Sequence, residues 1–202
     1  MDLFDSTDNK ETRLDLADAS ISYFPNFLTT ERANHYYKTL ESEINWRQDE
    51  ITVYGKRYKQ PRLTALYGES GKKYGYSNLV MSPLPFTPAL FILKEQLEQI
   101  AKTSFNVVLL NLYRDGTDSN GWHSDDEKEL GKNPSIASIS LGGTRTFQLR
   151  KKSDIKIRYN LELSNGSLLL MTGSTQHFWQ HQIPKTKKKV PPRINLTFRK
   201  II

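Results

Sequence analysis

IASISLGGTRTFQLR, residues 136–150, is the stretch on which the fold class turns. Ile136–Leu141 and Thr146–Arg150 are two short β-prone runs about a Gly142-Gly143 turn, the pattern of a hairpin. The glycine pair is not a phosphate loop, because no Gly-Lys-Ser/Thr follows it. The pattern continues outward. Phe105–Tyr113, Lys156–Leu163, Ser167–Met171 and Ile194–Phe198 are also short and β-branched or apolar, with Asp-Gly and Asn-Gly turns at 115–116 and 165–166. Upstream the period changes. Thr30–Ile44 carries Ala33, Tyr36, Tyr37, Leu40 and Ile44 on one helical face. A second helix is predicted from Thr87-Pro88, an N-cap and a first-turn proline, presenting Leu90, Leu93, Leu97 and Ile100. Between the helices, 46–54 and 62–67 are β-prone and separated by YGKRYKQP. Helices followed by a run of antiparallel strands give an α+β, mainly β class. A β-sandwich or jelly roll buttressed by N-terminal helices fits.

The 202 residues and 23.4 kDa suit one domain, placed at 16–202 after an acidic tail, 1–15, expected to be disordered. No apolar run approaches the roughly 18 residues of a transmembrane helix, and no membrane partner is expected. The start, MDLFDSTDNKETRLD, fits neither a secretory signal nor an Arg-rich transit peptide. The chain has no cysteine, which excludes disulfides, thiolate zinc sites, iron–sulfur clusters and Cys nucleophiles. A reducing, intracellular compartment is the natural expectation. The net charge of +7 is unevenly spread. Residues 1–20 hold six acids and two bases, 145–202 hold thirteen bases and two acids, and the middle is neutral. A basic C-terminal quarter suggests a polyanion partner, most often nucleic acid; it also serves solubility.

Only four histidines are present: His35, His123, His177 and His181. In NGWHSDDE, His123 and Asp125 stand two apart, so an extended backbone points both side chains one way. His181 follows 56 residues after Asp125, far enough for a sheet to return beside it. Two imidazoles and one carboxylate make the facial triad of non-haem Fe(II) oxygenases, which leaves positions open for substrate and O₂. A surface turn of solvated acids also fits the His-x-Asp pair taken alone. RINLTFR, 193–199, sets Arg193, Asn195, Thr197 and Arg199 on one face of a strand and Ile194, Leu196 and Phe198 on the other. The two arginines are roughly 20 Å apart along the strand at about 3.3 Å per residue, and their arms can lean together onto the two ends of a small dicarboxylate. A charged outer face of an edge strand is the plainer alternative.

Taken together, NLYRDG (111–116), HSDDE (123–127), IASISLGGTRTFQLR (136–150), GSLLLM (166–171), WQH (179–181) and PRINLTFRK (192–200) resemble the AlkB family of 2-oxoglutarate- and Fe(II)-dependent dioxygenases, in the family's order. The resemblance runs from about residue 50 to the end. It implies a double-stranded β-helix, with its core at 105–202. It makes His123, Asp125 and His181 the iron ligands, and Arg193 and Arg199 the holders of the 2-oxoglutarate carboxylates. Asn111, Tyr113 and Asn195 then hydrogen-bond the same co-substrate. The implied activity consumes 2-oxoglutarate and O₂ with Fe(II), releases succinate and CO₂, and hydroxylates an N-linked alkyl group on a base, which leaves as an aldehyde. For 1-methyladenine or 3-methylcytosine the aldehyde is formaldehyde; etheno adducts are further candidates. Such lesions lie on the pairing edge, so the base is flipped out or taken from a single strand.

Residues 50–80 resemble the nucleotide-recognition lid of the branch acting on double-stranded DNA. By that resemblance Tyr54 is the wedge in the vacated stack, where the family more often has Phe. Arg62 lies near the opposite strand, Tyr76 sandwiches the flipped base against His123, Tyr74 and Ser77 line the lid, and Glu127 hydrogen-bonds the base edge. Tyr54, Tyr74 and Tyr76 also read as ordinary strand aromatics. Arg150, Lys151, Lys152, Lys185, Lys187, Lys188 and Lys189 are candidates for phosphate contact, though any one lysine can equally be solvated. The expected partner is alkylated nucleic acid, DNA preferred, met by a monomer. RNA, or a protein or small molecule, remains open as the substrate of a 2-oxoglutarate oxygenase. A non-catalytic nucleic-acid-binding barrel is the third alternative.

Overall fold

The computed structural model describes residues 10–53, 56–71, 74–76 and 79–202. The elements in chain order are β1 (Thr12–Arg13), β2 (Ser20–Phe24), α1 (Thr30–Glu43), β3 (Glu50–Val53), β4 (Lys56–Lys59), β5 (Leu63–Gly68), β6 (Tyr74–Tyr76), β7 (Leu79–Met81), α2 (Pro88–Ala101), β8 (Val107–Tyr113) and β9 (Asn120–His123). There follow β10 (Ile136–Gly142), β11 (Arg145–Lys151), β12 (Arg158–Leu163), β13 (Ser167–Thr172), α3 (Thr175–Phe178), β14 (Trp179–Ile183) and β15 (Arg193–Arg199). Both long helices begin at a threonine cap. The Thr29 hydroxyl accepts from the Arg32 amide, and the Thr87 hydroxyl from the Leu90 amide ahead of Pro88.

β3-β4 and β6-β7 are separate two-stranded hairpins, and the other eleven strands form two facing antiparallel sheets. The larger runs β1-β2-β13-β10-β15-β8-β5 and the smaller β12-β11-β14-β9. Their residues sort by alternation into two apolar layers. Leu110, Leu112, Ile139, Ile194, Leu196 and Phe198 point outward from the larger sheet onto Leu40, Leu90, Leu93 and Leu97 of the helices. Leu109, Ile136, Leu169 and Met171 point inward onto Phe147, Leu149, Leu163, Trp179 and Ile183 of the smaller sheet. The result is the jelly roll, or double-stranded β-helix, with helices against one outer face. Because the helices cover its outer face, every residue of β8 and of β15 is buried. Among the described residues no helix is long and apolar enough to cross a membrane.

Several boundaries differ from the sequence reading. The expected disorder of 1–15 does not hold for its last residues: Thr12 and Arg13 pair with Tyr23 and Ser22, and Leu14 is buried against the inner layer. One apolar side chain and two ladder positions suffice to pin an otherwise acidic segment. YGKRYKQP is not only a separator, since Lys56–Lys59 returns on Glu50–Val53 as a hairpin. Tyr54 and Ser77 lie outside the described residues. Tyr74 and Tyr76 sit in the hairpin of β6 and β7, where only the backbone is described.

Candidate metal and co-substrate site

Inside the sandwich, one stripe of β15 breaks the apolar lining. Arg193, Asn195, Thr197 and Arg199 face inward and, with Asn111, Tyr113, Ser138, His123, Asp125 and His181, line a single pocket. The sheet register assembles it. Arg193 stands opposite Tyr113, Asn195 opposite both Asn111 and Ser140, and Thr197 opposite Ser138. In the smaller sheet His181 is the direct partner of His123. Two histidines far apart in sequence therefore meet as a cross-strand pair, with ring centroids 4.2 Å apart.

The donor atoms of His123, Asp125 and His181 all lie within 4.8 Å of one another. Each is held from behind. The Nδ1–H of His123 donates to the Gly121 carbonyl at 2.7 Å, which leaves Nε2 as an acceptor; it accepts from the Asn120 side-chain amide at 3.3 Å and lies 3.9 Å from Asp125. The His181 ring stacks on Phe147, centroids 5.1 Å apart. Asp125 donates its amide to the Gln176 side chain and accepts from Arg199 Nη2, both at 2.9 Å. Burial pushes both imidazoles down, His181 to about 3, so both are neutral donors at pH 7. Burial pushes the Asp125 carboxyl up, but Arg199 and the two histidines outweigh it and hold it at about 2. One anionic oxygen and two neutral nitrogens, preset in their ligating protonation states, suit a ferrous ion.

Arg193 is 1% exposed. Its Nη2 donates to Ser140 at 2.8 Å, while Nε and Nη1 have no hydrogen-bond partner. Burial pushes its guanidinium down to about 10, so it stays charged at neutral pH. A buried cation with donors left over is the complement of a carboxylate. The donor set and this cation fit Fe(II) beside 2-oxoglutarate. The amides complete the lining: Asn195 donates to Ser138 and to the Ile139 carbonyl, and Thr197 donates to Asn195.

Other expected residues are placed differently. Arg62 is not on the outer surface; it is 4% exposed and donates to the Asn111 side chain at 2.7 Å and to the Ser119 carbonyl. It props Asn111, the residue expected to hydrogen-bond the co-substrate. Glu127 is half-buried at the start of the turn Lys128–Leu130. Arg150, Lys151 and Lys152 are all engaged within the protein. Arg150 lies over the Trp122 ring and grips Gln180 with two nitrogens; Lys151 pairs with Asp18 and Lys152 with Asp126. Lys185, Lys187, Lys188 and Lys189 are exposed, as a phosphate contact requires. The sequence reading missed Ser138, Ser140, Gln176 and Phe147. The serines were within reach, since in IASISL they alternate with Ile139 and Leu141 and so share the inner face.

The 2OG-Fe(II) oxygenase superfamily model matches residues 20–199. The chain is 43% identical over 191 residues to "Alpha-ketoglutarate-dependent dioxygenase alkB homolog 3" of Bos taurus, covering 88% of this chain and 64% of that protein. It is 38% identical over 180 residues to "DNA oxidative demethylase ALKBH2" of Homo sapiens, covering 84% and 69%. It thus spans just under two thirds of the length of the homolog 3 relatives. A solved structure of OsALKBH1 superposes with a TM-score of 0.66 at 17% identity, over 95% of this chain and all of that one, and so shares the fold. With matches of this identity and extent around a preset two-histidine, one-carboxylate centre, the chain belongs to the 2OG-Fe(II) oxygenase superfamily, among the AlkB homologues.

Proposed function

We propose that this protein removes N-linked alkyl groups from nucleic-acid bases by oxidation, with DNA the preferred substrate. The observation that carries the reading is the facing of His123, Asp125 and His181 by the buried Arg193 cation across one pocket. A ferrous ion at the triad supplies O₂ activation at the expense of 2-oxoglutarate, which leaves as succinate and CO₂, and oxidation of the alkyl carbon next to nitrogen. The chain's own residues bind and orient. Arg193, with Ser140 behind it, grips one carboxylate of the diacid. Arg199 neutralises the other while keeping Asp125 ionised and fixed. Asn111, Tyr113 and Asn195 hydrogen-bond the diacid between these ends. The apolar ring of Leu109, Phe147, Leu163, Met171 and Ile183 excludes water from the reacting centre.

On the base side the proposal assigns Tyr76 to stacking on the flipped base, Tyr54 to the vacated stack, Tyr74 and Ser77 to the lid and Glu127 to the base edge. A base on an aromatic face gains about 1–3 kcal/mol. Lys185, Lys187, Lys188 and Lys189 lie along phosphates. The name "DNA oxidative demethylase" carried by relatives at 34–38% identity supports DNA as the substrate. The protein then works inside the cell, where the DNA is, as a monomer. Mass spectrometry of products from 1-methyladenine, 3-methylcytosine and etheno lesions tests it, in single- and double-stranded DNA and in RNA. Loss of the alkyl mass from DNA in a 2-oxoglutarate-dependent manner is expected. Turnover of RNA alone, or of no oligonucleotide, contradicts it.

A further inference from the structure

Arg145 opens β11 beside Tyr113 and is 2% exposed. Its guanidinium donates to backbone carbonyls of two loops. Nη1 reaches the Asp115 carbonyl at 3.1 Å; Nη2 reaches the Asp118 carbonyl at 2.9 Å and the Pro184 carbonyl at 2.6 Å. One side chain thereby ties two loops together, 114–119 after β8 and 184–192 after β14. The loops also meet directly: the Thr186 amide donates to the Gly116 carbonyl at 2.8 Å. A Cβ at Gly116 would stand 2.5 Å from the Thr186 carbonyl oxygen, so the approach needs glycine. The second loop carries the exposed Lys185, Lys187, Lys188 and Lys189.

The same guanidinium lies over the Tyr113 ring, 5.5 Å from its centroid, and Arg193 lies over that ring at 5.3 Å. Tyr113 is the last residue of β8, immediately before the first loop. Burying a guanidinium is costly, and carbonyl acceptors offset only part of that cost. An apolar side chain would pack the layer more cheaply but could neither bridge the loops nor set a cation over the Tyr113 ring.

We propose that Arg145 is a positioning residue for the co-substrate clasp: it holds the Tyr113 phenol beside Arg193 and locks the lysine-bearing loop to the loop that follows Tyr113. This rests on the reading of Tyr113 and Arg193 as the 2-oxoglutarate clasp. The triad is held by Gly121, Gln176 and Phe147, so metal affinity does not depend on Arg145. Because binding and loop order share one side chain, the coupling is reciprocal, and 2-oxoglutarate slows exchange of the Thr186 amide.

The test uses the full chain loaded with Mn(II). It combines calorimetric titration with 2-oxoglutarate and hydrogen exchange at the Thr186 amide, for the wild type, Arg145→Gln and Gly116→Ala. Arg145→Gln is expected to bind 2-oxoglutarate on the order of tenfold more weakly. Its Mn(II) affinity stays unchanged and its Thr186 amide exchanges faster. Gly116→Ala parts the loops with Arg145 intact, so it shows the fast exchange and a smaller loss of affinity. A folded Arg145→Gln protein with wild-type 2-oxoglutarate affinity overturns the inference. Parallel loss of Mn(II) and 2-oxoglutarate also overturns it, because that marks a merely structural residue. Should Arg145→Gln fail to fold, Gly116→Ala decides: fast exchange with undiminished affinity breaks the link. A wild type that takes up Mn(II) but no 2-oxoglutarate refutes the clasp itself, a separate failure seen before any variant is made.

Discussion

Replacing Arg193 by methionine removes a buried cation from the pocket and is expected to trade function for stability. Burial holds the guanidinium at about 10, some 2.5 pH units below its ordinary value, which at about 1.4 kcal/mol per unit is roughly 3 kcal/mol. The folded form binds this proton less tightly than the unfolded chain. The cost to the folded state is therefore fully present at neutral pH and fades only as pH rises through the folded value. Losing the hydrogen bond to Ser140 gives back about 1 kcal/mol. The net is about 2 kcal/mol in favour of the variant, roughly 4–8 °C for a chain of this size. For the diacid the sign reverses. Two charge-assisted hydrogen bonds at about 1.5–3 kcal/mol each correspond to a loss of about 10²–10⁴ in affinity. Thermal unfolding of the Mn(II)-loaded protein, with and without 2-oxoglutarate, reads both effects. The wild type should shift upward on adding 2-oxoglutarate; the variant should start higher and not shift. A variant that melts lower than the wild type without the diacid, or that still responds to it, refutes the assignment of Arg193.

Three further outcomes follow from the same geometry. His181 is held at about 3 against an ordinary 6.5, so the unfolded chain takes up more protons in that window and stability should fall as pH drops through it. Unfolding midpoints of metal-free protein from pH 7 to 3 check this, and a flat profile, or no flattening in His181→Gln, contradicts it. Gly142 has φ +83°, and a Cβ there would lie 2.6 Å from the Pro192 carbonyl and 2.8 Å from the Tyr37 ring. Gly142→Ala should cost about 2 kcal/mol or more in denaturant unfolding. It should also weaken 2-oxoglutarate binding, because Gly142 is the register partner of Arg193. Lys187→Ala should lower the slope of log affinity for oligonucleotide against log salt by about 1, whereas Lys151→Ala, its charge already paired with Asp18, should leave it unchanged.

What the sequence made legible was whatever a single strand or helix decides alone. The alternation in RINLTFR places two arginines on one inner face and three apolar residues on the other, and the sheet keeps that division. Thr87-Pro88 announces α2 because capping is local chemistry. The strands β9 and β14, which carry the two candidate histidine ligands, did not read as strands. NGWH and WQHQI contain Gly, Asn and Gln, poor strand formers that are tolerated because Trp179 and Ile183 anchor the inner layer. Arg62 was misplaced for a related reason. Its partner Asn111 lies 49 residues away, and only the fold shows that the cation is buried to support an amide. The three bases at 150–152 looked free because Asp18, Asp126 and Gln180 meet them from distant segments. His123 and His181 stood out in sequence through the His-x-Asp spacing and, more firmly, through the family resemblance; the register that makes them neighbours is a property of the closed sandwich.

Succinate and formaldehyde released together from a 1-methyladenine oligonucleotide, with Fe(II), 2-oxoglutarate and O₂ supplied, test the triad-and-clasp account most directly. Wild-type protein should release the two in equal amounts, only when all of the components are present, and Asp125→Ala should release neither. Formaldehyde from Asp125→Ala at the wild-type rate, or none from a wild type shown to hold its metal and 2-oxoglutarate, contradicts it.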